Sequence, residues 1–133
     1  MRYLGLILSF WGCTTSAWAA PFHGISYEIH HIYSEDGAKL SLFHLKGNET
    51  GPALLLEPGL VETVEMLDGI AASFYERGYD VFIGQVRLAG RGETCSGHGY
   101  CNGLQEVLLY DFPAHFREVI RRINGRKVDV LGH

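Results

Sequence analysis

The chain has 133 residues, of which 47% are hydrophobic and 20% charged, with a formal net charge of -4. That is enough apolar material for one small domain with a core, and it excludes a compositionally disordered chain. There is no basic block, which argues against nucleic acid as a partner.

Residues 1–20 differ from the rest. Arg2 is followed by an apolar run from Leu4 to Trp11, then by Ala17-Trp18-Ala19. A short positive region, an apolar core and an A-x-A pattern predict a secretory signal peptide, cleaved after Ala19 or Ala20. The core is too short for a stable membrane anchor, since a span needs about 20 apolar residues. Residues 21–133 are then one domain of an exported protein, periplasmic or extracellular. Cleavage removes Cys13 and leaves Cys95 and Cys101. In an oxidising compartment this pair is expected to form a disulfide. A zinc site from Cys95, His98 and Cys101 is the alternative; it has no clear fourth ligand.

Strand signals follow. Glu28 to Ser34 and Lys39 to Leu45 flank the turn residues Glu35-Asp36-Gly37, which predicts a hairpin with one exposed face. The breakers from Gly47 to Pro52 form a loop. Ala53-Leu54-Leu55-Leu56 is continuously apolar and closed by Pro58-Gly59, as in a strand covered on both faces. Leu67, Ile70, Ala71 and Phe74 share a helical face, and Gly78 stops that helix. Asp80 to Gln85 is the next buried strand.

Arg87 to Gly103 is a glycine-rich loop, but neither glycine pair completes G-x-G-x-x-G, so no dinucleotide site is expected. Leu104 to Tyr110 reads as helical. Asp111 before Phe112-Pro113 reads as an N-cap with proline in the first turn. The helix it starts runs to about Ile123, with Phe112, Phe116, Val119, Ile120 and Ile123 as its apolar stripe. Arg117, Arg121 and Arg122 form a solvated face. Gly125 ends the helix, and Val128 to Leu131 is the last strand. The fold class is α/β: an antiparallel strand pair followed by a parallel β-α-β-α-β unit.

Four stretches carry a resemblance. They are Pro52 to Leu60, Gly78 to Arg87, Tyr110-Asp111-Phe112-Pro113-Ala114, and Val130-Leu131-Gly132-His133. In this order the chain resembles the N-terminal part of the α/β-hydrolase family, in its acid-lipase-like branch. The resemblance implies a serine hydrolase of lipase or esterase type, acting on carboxylic esters or lipids. Gly132 and His133 match the start of the G-x-S-x-G nucleophile elbow, with the serine due at the next position. Nucleophile, acid and base would all follow His133, so the chain by itself is expected to be inactive. The backbone N–H of Leu60 matches an oxyanion-hole donor, although Pro58 stands where the family has histidine. Arg87 matches an arginine after the fourth strand and is expected to brace loops. No cofactor, metal or nucleic-acid partner is expected, and the oligomeric state is not legible. The alternatives are a non-catalytic binding or interaction domain on the same fold, or a gene remnant that does not fold.

Overall fold

In a computed structural model, the structure of the chain is described for residues 21–59, 62–87 and 103–133. The strands are β1 (Glu28–Tyr33), β2 (Lys39–Leu45), β3 (Ala53–Glu57), β4 (Asp80–Gln85) and β5 (Val128–Gly132). They form one sheet in the order β1-β2-β4-β3-β5. β1 pairs antiparallel with β2, and β2 with β4; β3 pairs parallel with both β4 and β5. The expected hairpin and parallel unit are both present, and the sheet joins them through β2 and β4. The predicted signal peptide lies outside the described residues.

Alternation along the central strands sends side chains to two cores. Leu54, Leu56, Val81 and Ile83 join Phe22, Phe43, Leu45, Leu67 and Ala71 beneath helix α1 (Asp68–Glu76). Ala53, Leu55 and Phe82 join Leu42, Val119 and Ile123 beneath helix α3 (Phe112–Arg122). Each fully buried side chain of this size contributes about 1.5–3 kcal/mol. Gly78 follows α1 with φ +86° and donates its N–H to Tyr75 O, a left-handed stop that suits glycine.

Three details differ from expectation. The hairpin is not exposed along one whole face: Leu42, Phe43, His44 and Leu45 of β2 are all buried. β2 is an inner strand, because β4 pairs with its second edge. Leu67, just before α1, and Ala71 within it are buried, but Ile70 is 42% exposed.

The third difference concerns the long helix. A short helix α2 (Leu104–Glu106) passes through a π-turn (Val107–Asp111) directly into α3. Asp111 is therefore inside a continuous helical segment, with helical backbone angles and no capping hydrogen bond from its side chain. The buried row is Asp111, His115, Val119 and Ile123, spaced by four. Phe116 and Ile120 lie beside it, each 42% exposed. Two polar residues occupy the covered row because each meets a buried partner.

Candidate active site

Asp111 meets Arg87, the second residue after β4. The Arg87 backbone N–H donates to Asp111 Oδ2 at 3.0 Å, and its Nη2 to Asp111 Oδ1 at 2.6 Å. The same guanidinium donates to both oxygens of Asp36, at 2.6 and 2.9 Å. One arginine thus ties the β1–β2 turn to the end of β4 and the start of α3, the bracing role expected of it. Bidentate geometry suits the planar guanidinium. Burial works against its charge, but the two carboxylates outweigh burial, and Arg87 holds its proton more tightly than usual. The Arg87 guanidinium in turn holds the Asp36 carboxyl down at about 2.

His115 meets Glu57. Its Nδ1 is 3.1 Å from each oxygen of the Glu57 carboxylate, which ends β3. Both residues are buried, and His115 Nε2 has no hydrogen-bond partner among the described residues. A Cβ at Gly84 would fall 2.4 Å from His115 Nδ1 and 2.6 Å from Glu57 Oε2. Glycine in β4 is what lets this polar pair lie flat on the sheet.

Above that pair, the carboxyl ends of β3 and β5 bring two predicted segments together. Glu57 is in register with Gly132. The His133 backbone N–H donates to Glu57 O at 3.2 Å. The Pro58-Gly59 turn follows β3, and a Cβ on Gly59 would lie 3.3 Å from His133 O. Glu62 links the two segments: its Oε2 accepts the Gly59 N–H at 2.8 Å, and its Oε1 is 2.7 Å from His133 Nδ1. Gly132 and His133 are thus beside the turn that leads to Leu60. Leu60, Cys95 and Cys101 lie outside the described residues.

The reading of the sequence missed Glu62, Glu57 and His115. Glu62 carried a faint signal, an acceptor three residues after a glycine turn. The other two form a pair 58 positions apart, which no local pattern reports.

A second polar cluster occupies the opposite end of the sheet. His44 Nε2 is 2.7 Å from Asp80 Oδ1, and Arg126 Nη2 donates to Asp80 Oδ2 at 2.6 Å. Burial pushes the Asp80 carboxyl up, but hydrogen bonds from His44 and Arg126 outweigh it and hold it below the usual range. A cleft of about 610 Å³ opens here, lined in part by His44, Lys46, Asp80, Arg122 and Arg126. It lies at the amino ends of the parallel strands, away from Glu57 and His133. In open α/β sheets, ligands bind at the carboxyl ends, the end at which Glu57 and His133 lie.

No family model matches the chain. It is similar to Lipase 1 of Drosophila melanogaster, 26% identical over 123 residues, covering 84% of this chain and 28% of that protein. Among solved structures it is similar to an esterase of Pyrococcus furiosus (TM-score 0.61, 20% identity, 81% of this chain, 40% of that one). It is also similar to an epoxide hydrolase of Vigna radiata (TM-score 0.59, 20% identity, 80% of this chain, 30% of that one). The fold is that of the N-terminal part of an α/β-hydrolase. The chain spans well under half the length of these relatives.

Proposed function

We propose that this chain is the N-terminal part of an exported serine hydrolase of lipase or esterase type. The observation that carries the reading is the packing of Pro58-Gly59 against Gly132-His133, at the carboxyl ends of two adjacent parallel strands. An oxyanion turn and a nucleophile elbow need that adjacency. One supplies backbone N–H groups, the other presents the serine, and both must reach one carbonyl. The similarity to a lipase supports ester substrates. The reaction would be acyl transfer from a carboxylic ester to serine, then to water.

Within this proposal Leu60 N–H is the oxyanion donor, Glu57 and Glu62 are positioning residues, and the serine follows His133. On this reading the residues assigned here stabilise and position, and none of them is the nucleophile. The signal-like residues 1–20 support export.

The test begins with the transcript beyond codon 133. A frame continuing as Ser-x-Gly is expected, and its product should hydrolyse p-nitrophenyl esters until a serine-directed fluorophosphonate blocks it. The 133-residue chain should release no p-nitrophenol above a matched blank. A stop codon after His133, or turnover by the short chain that survives purification, would overturn the proposal.

A further inference from the structure

The cluster around His44 contains a set of side chains that the hydrolase reading does not use. In the β1–β2 register Glu28 is directly opposite His44. His30 is two residues along β1 from Glu28, so pleating puts all three on one face. Their potential ligand atoms lie within 4.8 Å of one another. His30 Nε2 is 3.5 Å from His44 Nδ1 and 3.6 Å from Glu28 Oε2. Two ligands of a tetrahedral ion with bonds of about 2.0–2.1 Å are about 3.4 Å apart. Both distances from His30 therefore suit two ligands of one ion, whereas 3.5 Å is long for a hydrogen bond between the two rings.

His44 is also prepared from behind. Its Nε2 faces Asp80 Oδ1 at 2.7 Å, so that nitrogen carries the proton and Nδ1 presents its lone pair to His30. A carboxylate behind a histidine is the usual device for orienting a metal ligand. Asp80 is in turn held by Arg126 and by the Gly47 N–H. The His44 ring stacks on Phe82 with centroids 4.0 Å apart, which fixes its plane. Lys46 Nζ lies 2.9 Å from Glu28 Oε1 and opposes a second cation. It takes the oxygen that does not face His30, and its side chain is mostly exposed.

We propose that His30 Nε2, His44 Nδ1 and Glu28 Oε2 bind one divalent transition-metal ion of the zinc type, with solvent at a fourth position. This departs from the expectation of no metal, and it does not depend on the hydrolase proposal. The alternation of β1 puts His31 on the other face, where it serves as a control.

The experiment titrates Zn²⁺ into the full chain by calorimetry, with Co²⁺ absorption as a second probe. One ion per chain and a Co²⁺ spectrum of four-coordinate intensity are expected. His30→Ala and Glu28→Gln should each weaken Zn²⁺ binding at least tenfold, with unchanged circular dichroism. His31→Ala and the Cys95→Ser/Cys101→Ser double variant should bind like the parent. Absence of stoichiometric binding by the parent would overturn the proposal. So would binding that survives His30→Ala, or that disappears in the cysteine variant.

Discussion

β3 and β5 are neighbours of equal length and similar chemistry, yet their surroundings are opposite. They pair in parallel from Ala53↔Val128 to Glu57↔Gly132. All five residues of β3 are buried, whereas Val130 and Leu131 of β5 are 56% and 42% exposed. β3 has a strand on each edge and a helix layer on each face. β5 has one neighbouring strand among the described residues. Burial is therefore conferred by position in the sheet, and an apolar strand exposed at an edge is a template for association.

The largest difference between centre and edge should come from Arg87, whose guanidinium satisfies the fully buried Asp111. Arg87→Ala is expected to cost about 3–5 kcal/mol in urea unfolding, because it strands a buried carboxylate. Next, Leu55→Ala in β3 should cost about 2–5 kcal/mol, while Leu131→Ala in β5 should stay within about 0.5 kcal/mol. Equal costs at the two positions would refute the contrast.

A smaller effect is expected in acid. Asp36 is held at about 2 by Arg87, against an ordinary value of 3.8. The folded state therefore binds that proton more weakly than the unfolded state. The contact contributes fully above about pH 4 and is lost as pH falls toward 2. Asp36→Asn should flatten that part of the stability profile, and parent and variant should converge near pH 2. Unchanged slopes in thermal melts from pH 5 to 2 would count against the clamp. The smallest effect on stability belongs to Val130→Lys, within about 0.5 kcal/mol. Its readout is light scattering: a charge on the edge strand should reduce association.

The strands, the βαβ unit and the Gly78 stop were legible because period and breakers are local. The nearness of Gly59 to His133 depends on β3 and β5 being neighbours, which no local pattern in the sequence reports. Asp111 was misread because aspartate before Phe-Pro is a good cap signal, and its competitor Arg87 is 24 positions away. An apolar-stripe reading also passes over His115, whose place in the buried row depends on Glu57. The cluster of Glu28, His30 and His44 needs a strand register that composition cannot supply.

The strand order has a consequence for synthesis on the ribosome. β3 meets β4 soon after emerging, but its other edge waits for β5, roughly 75 positions later. At about 5–20 residues per second, that is about 4–15 s of translation. Throughout that interval the nascent chain presents the backbone edge of Ala53-Leu54-Leu55-Leu56 to whatever is near the exit tunnel. Slower codons between β4 and β5 should therefore lower the yield of folded protein, and a chaperone able to cover an apolar strand should raise it.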